Sequence, residues 1–134
     1  CFGSWSAYNI YKGQRQLCWA HLKRDFEGFT EYKERVGKIS EELLSKVDVL
    51  FHWWHRVRDG TLNLQTFRHN MKWLQMEVER LLLEGTGCSN KKMERFCKRI
   101  LKQKDYLWTF VDIEGVEPTN NIAERALRPA KTMA

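Results

Sequence analysis

The sequence predicts a mainly α-helical protein. Two long stretches repeat apolar residues at steps of three and four, the period of a helix with one buried face. The first holds Ile39, Leu43, Val47, Leu50, Trp54 and Val57, and the second Leu64, Phe67, Met71, Leu74, Val78 and Leu81. Only the first 18 residues contain a strand signal, and both prolines fall at Pro118 or later. A chain of 134 residues, 43% hydrophobic and 13% aromatic, is long and apolar enough to bury a core and is not a disordered composition.

The strand signal is "RQLCW", Arg15 to Trp19, a short apolar run after the breaker Lys12-Gly13. Standing alone it reads as an edge expected to fray or to pair with another copy. Leu22, Phe26 and Phe29 then predict a helix from His21 to about Tyr32. The next helix is expected from about Lys38 to Arg58, stopped by Asp59-Gly60, with Gly60 suited to a left-handed C-terminal position. A third is expected from Leu64 to about Glu84, closed by Gly85 and Gly87. Two such helices joined by a loop of about five residues predict a long antiparallel hairpin. A fourth helix starts after Ser89 or Asn90 and turns Met93, Phe96, Cys97, Ile100 and Leu101 inward. The segment "YLWTFVDI", helical or extended, leads from there into "GVEPTNNIAERALRPAK", Gly115 to Lys131.

Charge is concentrated in one place. The whole chain carries a net +6. Residues 91–104, "KKMERFCKRILKQK", contain seven bases and one acid, 7 − 1 = +6, so the remainder is neutral. Lys91, Arg95, Lys98 and Lys102 fall on one outer face, flanked by Lys92 and Arg99. A patch of this density favours contact with a polyanion over an ordinary solvated face. No run of about 18 apolar residues exists, so no membrane span is expected. Nothing in the spacing of Cys1, Cys18, Cys88 and Cys97 suggests secretion or a zinc ribbon, so free thiols in a reducing cytosol are expected. The chain begins without Met or a signal peptide and reads as a piece of something longer.

Three local patterns carry candidate chemistry. Asn121-Ile-Ala-Glu124 is, read locally, a capping box: the Asn121 side chain accepts from the amide of Glu124, whose carboxylate reaches back. Arg125 and Arg128 beside that helix start are surface cations or phosphate contacts. Cys18-x-x-His21 has no second ligand pair at zinc spacing, so a structural pairing at a strand-to-helix junction explains it better than a metal site. His52 and His55 stand three apart around Trp53-Trp54, which a half-buried aromatic helix face explains as well as metal binding does.

Taken together, "SWSAYN" (Ser4 to Asn9), "RQLCWAHLKRDF" (Arg15 to Phe26), "LFHWWHRVRDGTL" (Leu50 to Leu62) and "LWTFVDIEGVEPTNNIAERALRP" (Leu107 to Pro129) resemble the insertion-sequence-sixty-six family of bacterial transposases. The likeness runs in order over nearly the whole chain. It implies a ribonuclease H-like core of the DDE type, in which two aspartates and a glutamate hold two divalent cations, Mg²⁺ or Mn²⁺. Two such ions ~4 Å apart clamp the attacking and leaving oxygens of a phosphoryl displacement. The resemblance places the catalytic, metal-holding glutamate at Glu124 and the residues shaping its site at Asn120, Asn121 and Arg125. Cys18 and His21 match a site-supporting signature. DNA is the implied partner, both transposon ends and target, contacted by Lys91, Lys92, Arg95, Lys98, Arg99, Lys102 and Arg128. A homo-oligomer and a bacterial cytoplasmic location beside the nucleoid also follow from it.

The expected organisation is a partial core over residues 1–27, a helical insertion over 28–104 formed by the hairpin and the basic helix, and a return to the core over 105–134. One departure matters. The family reads Ser-Asp-Arg ahead of its Ser-Ala-Tyr segment, whereas this chain reads "CFGSWSAY", with Gly3 where the second aspartate belongs. The first aspartate would lie upstream of Cys1, and the segment beyond the glutamate's helix stops at Ala134. One carboxylate of three then remains, and the isolated chain is expected not to transfer strands. The alternative expectation is a decayed or repurposed remnant that binds DNA without catalysis.

Overall fold

A computed structural model describes residues 8–11, 14–113 and 115–119 of the chain. Their order is β1 (Tyr8–Tyr11), β2 (Gln14–Leu17), α1 (Trp19–Phe29), α2 (Glu34–Arg58), α3 (Leu64–Thr86), α4 (Lys91–Lys102), a 3-10 turn (Lys104–Leu107) and α5 (Thr109–Asp112). The protein is mainly helical, as its periodicity predicts. No helix among the described residues is long and apolar enough to cross a membrane. These residues divide into two compact units: one joins the residues up to Leu22 with those from Asp105 onward, the other is the continuous stretch Lys23–Lys104.

The continuous unit is held by faces of α1 to α4. Ile39, Leu43, Val47 and Leu50 of α2 and Phe67, Met71, Leu74, Val78 and Leu81 of α3 are buried, each contributing roughly 1.5–3 kcal/mol of transfer free energy. Residues late in α2 meet residues early in α3 and the reverse. Trp54 packs on Phe67 with ring centroids 5.8 Å apart, and Lys46, two turns earlier, places its Nζ 5.4 Å from the ring of Trp73. The two helices therefore run in opposite directions. Between them, the Asp59 carboxylate accepts from the backbone amide and hydroxyl of Thr61 at 3.0 and 2.7 Å, and Gly60 takes φ +85°. Asn63 caps α3 by accepting from the Thr66 amide at 2.7 Å.

Several boundaries differ from the sequence reading. Helix α2 starts at Glu34, a turn ahead of Lys38, and buries Val36 and Gly37. Leu64, expected on the buried stripe, is exposed. Gly85 does not close α3 but lies buried inside it, and Gly87 is the C-cap. The reason is packing: a Cβ at Gly85 would collide with the Cys97 sulfur of α4, so glycine here lets two helices approach. Beside Cys97 on the buried face of α4, Phe96 meets Phe26 edge-on at 5.7 Å and Phe29 at 5.3 Å.

In the discontinuous unit, β1 and β2 form an antiparallel ribbon pairing Tyr8 with Leu17 and Tyr11 with Gln14. The strand is thus partnered within the chain, correcting the expectation of a lone edge. It also ends at Leu17, because Trp19 already begins α1. Among the described residues of this unit, Leu17, Cys18, Trp19, Leu22, Leu107, Phe110, Val111 and Val116 are buried apolar side chains.

Candidate nucleic-acid interface

Helix α4 is amphipathic in the strict sense that its two faces carry different chemistry. The Asn90 side chain caps it, accepting from the Met93 amide at 3.0 Å. Met93, Phe96, Cys97 and Ile100 are buried. Lys91, Lys92, Arg95, Lys98, Arg99 and Lys102 are all exposed. Six bases and the single acid Glu94 give this helix 6 − 1 = +5. Glu94 engages Lys98 at 3.1 Å, an exposed i, i+4 pair of small energetic value. Lys91, Arg95, Lys98 and Lys102 recur at helical spacing along about 16 Å of the axis, at 1.5 Å rise per residue. That length matches a few successive phosphates of a nucleic-acid strand.

The Cys18-x-x-His21 pair lies in the other unit, at the junction of β2 and α1. Cys18 is buried and its carbonyl accepts from the Leu22 amide at 3.2 Å. His21 is half-buried. Among the described residues, no group of three or more His, Cys, Asp or Glu side chains is arranged to hold a metal ion. His52 and His55 are exposed, and His55 stacks on Phe51 at 6.4 Å.

Around that junction the structure gathers residues distant in sequence. The Trp19 amide donates to the carbonyl of Pro118 at 2.8 Å. The Trp19 indole Nε1 donates to the Leu107 carbonyl at 2.9 Å, and its ring tilts against Trp108 at 5.2 Å. The fully buried Gln16 side chain uses both ends of its amide: Nε2 donates to the carbonyls of Leu107 and Leu17, and Oε1 accepts from the Phe110 amide at 2.8 Å. The two stretches carrying most of the family likeness are thereby pinned together within one unit. Pattern reading missed Gln16, because a glutamine beside Arg15 in a short strand looks like a solvent-facing residue. Nothing in the local sequence signals its distant partners, Leu107 and Phe110, some ninety residues away.

Of the remaining candidate residues, Asn120, Asn121, Glu124, Arg125 and Arg128, together with Gly3, lie outside the described residues. The described chain leads to Thr119, which is buried along with Val116, immediately ahead of that set.

A family model described as "Transposase IS66 family" matches residues 3–133. No curated protein and no solved structure matches the chain significantly. Since the family match spans nearly all of the sequence, from Gly3 to Met133, this chain belongs to the IS66 family of transposases.

Proposed function

We propose that this chain is a region of a DDE transposase catalytic domain, with a ribonuclease H-like core, that grips DNA through α4 and does not itself transfer strands. The observation that carries the DNA reading is the exposure of all six α4 bases opposite a fully apolar inner face. Lys91, Arg95, Lys98 and Lys102 would neutralise backbone phosphates, with Lys92, Arg99 and Arg128 extending the contact. Such contacts fix position without reading sequence. Glu124 is assigned as the family's third carboxylate, Asn120, Asn121 and Arg125 as the residues around it, and Cys18 with His21 as a pair that supports the site.

The residues present do not fit the pair of divalent cations implied by the family. Such a centre needs carboxylates from three positions, and the second of these is Gly3, which offers no ligand. Among the described residues no other acidic cluster replaces it. That substitution is also the observation favouring a second reading, a remnant kept for DNA binding alone.

Two experiments test these readings. Duplex DNA binding by fluorescence anisotropy should weaken with salt at up to ~0.9 log unit per log unit of salt for each neutralised phosphate, a slope near −3.6 for four. Reversing Lys91, Arg95, Lys98 and Lys102 together to Glu should abolish most of it; unchanged affinity would make the patch a solvated face. For catalysis, a chain extended at its start to supply the first aspartate and carrying Gly3→Asp should nick DNA in Mn²⁺, whereas the same chain with Gly3 retained should not. Full nicking by that restored chain after Glu124→Gln sinks the role of Glu124.

A further inference from the structure

Beside the basic helix lies an open cleft between α1 and the start of α4. Arg24, Asp25, Gly28 and Phe29 of α1 line it, with Tyr32 just beyond that helix and Lys92 in the first turn of α4. Its volume is about 260 Å³, below the ~300–1,000 Å³ of a pocket for a drug-sized ligand, which suits one small planar group. Phe29 and Tyr32 form an aromatic wall, their rings 5.7 Å apart and tilted by 43°. Phe96 backs Phe29 at 5.3 Å, while Tyr32 is 37% exposed. The lining holds two bases and one acid, 2 − 1 = +1, and both bases, Arg24 and Lys92, are exposed.

Gly28 is the member of this lining that the fold itself does not call for. It lies in the last turn of α1, where glycine is a poorer helix former than any residue but proline. It does not take a positive φ, and a Cβ there would meet no atom within 4 Å. Neither backbone conformation nor close packing therefore requires glycine, in contrast to Gly85. What its missing side chain leaves is room in the cleft.

An exposed aromatic ring beside cations is the arrangement that takes a nucleotide, the base stacking on the ring and the phosphate meeting the charge. Lys92 belongs both to the cleft and to the basic helix, so a strand whose phosphates follow α4 reaches the cleft at that helix's first turn. We propose that the cleft takes one unstacked base of a DNA strand, stacked on Tyr32, with its phosphate held by Arg24 and Lys92. This rests on the reading of α4 as a DNA-binding face and adds to it a preference for an unpaired strand. A paired base must first leave its stack, at a cost that an unpaired base escapes. Every base has a π face, so the cleft selects the state of the strand and not its sequence.

Fluorescence anisotropy at one fixed salt concentration tests this with three DNAs: a blunt duplex, the same duplex with a short single-stranded extension, and that duplex with an abasic extension of equal length. The two extensions carry the same phosphates and differ only in their bases. The extension with bases should bind at least about fivefold tighter than the abasic one, the lower end of base–aromatic stacking. Tyr32→Ala should remove that difference and Tyr32→Phe should keep it. Gly28→Leu should also remove it by filling the cleft, with far-UV circular dichroism unchanged because nothing crowds that position. Arg24→Glu should weaken binding of both extensions, since it acts on phosphate. Equal affinity for the two extensions, a difference that survives Tyr32→Ala or Gly28→Leu, or indifference to Arg24→Glu overturns the proposal while binding of the blunt duplex stands. A chain that binds none of the three DNAs overturns it together with the reading of α4.

Discussion

The backbone amide of Trp19 donates to the carbonyl of Pro118 at 2.8 Å, closing the start of α1 onto the turn that precedes Asn120. An amide in the first turn of a helix has no partner within that helix. Here a residue about a hundred positions later supplies it. The bond makes the placement of the strand-to-helix junction and of the downstream turn a single structural event.

Gln16 reinforces the same closure, and its loss should be costly out of proportion to its size. In Gln16→Leu the bond from the Phe110 amide to Oε1 and the bond from Nε2 to the Leu107 carbonyl are both lost. A buried donor left unsatisfied costs about 1–3 kcal/mol. Urea unfolding should show that loss, and hydrogen exchange at the Phe110 amide should accelerate.

Ser40 should respond in the opposite sense. Its hydroxyl oxygen is buried on α2 and finds no hydrogen-bond partner. Ser40→Ala removes a desolvated polar group and improves helix propensity. A gain of about 1 kcal/mol is expected, seen as a higher urea midpoint with an unchanged slope; a loss of stability would show the hydroxyl to be satisfied.

At Gly85 the expected effect comes from sterics. Gly85→Ala would normally favour a helix, yet the new methyl meets the Cys97 sulfur. Overpacking of this kind costs about 1–3 kcal/mol. Combining it with Cys97→Ala, which vacates that space, should recover part of the loss, so the two changes should be non-additive in thermal unfolding.

The Cys97 thiol also sets a pH dependence. Burial, with a smaller contribution from Cys88, pushes it up to about 12 from an ordinary value of 9.0. Its folded value lies above its unfolded one, so its contribution is complete below about pH 9 and is lost as pH rises towards 12. Comparing Cys97→Ala with the unchanged chain should therefore show a stability difference that shrinks across that window and is flat below it. At neutral pH the buried thiol should react with a thiol reagent only as fast as the chain opens.

Much of the helical unit was legible because its forces are local. The spacing of Ile39, Leu43, Val47 and Leu50, and of Phe67, Met71, Leu74 and Val78, follows from a helix burying one side. Asn90 as a cap and Gly60 at a helix end rest on similarly local chemistry. Where the reading slipped, a distant partner decided the outcome. Gly85 looked like a terminator until Cys97 explained it, and Trp19 looked like a strand residue because Pro118 is far away in sequence. The basic face of α4 was fully legible, since exposed lysines need no partner to be recognised. Glu124 was reachable only through resemblance, because a capping box and a catalytic carboxylate present the same local pattern.

The division of the chain into a continuous and a discontinuous unit bears on the order in which it folds. In the continuous unit α2 packs on α3 and α3 on α4, so each helix meets its neighbour in sequence and short loops close quickly. The side-chain hydrogen bonds from Gln16 and Trp19 to Leu107 and Phe110 instead join residues 88 to 94 positions apart, and the entropy of closing such loops must be met before any contact rewards it. Lys23–Lys104 should therefore acquire protected amides first, with Phe110 among the last. During synthesis Gln16 and Trp19 would have to wait for Leu107, Phe110 and Pro118 to emerge before these bonds could form.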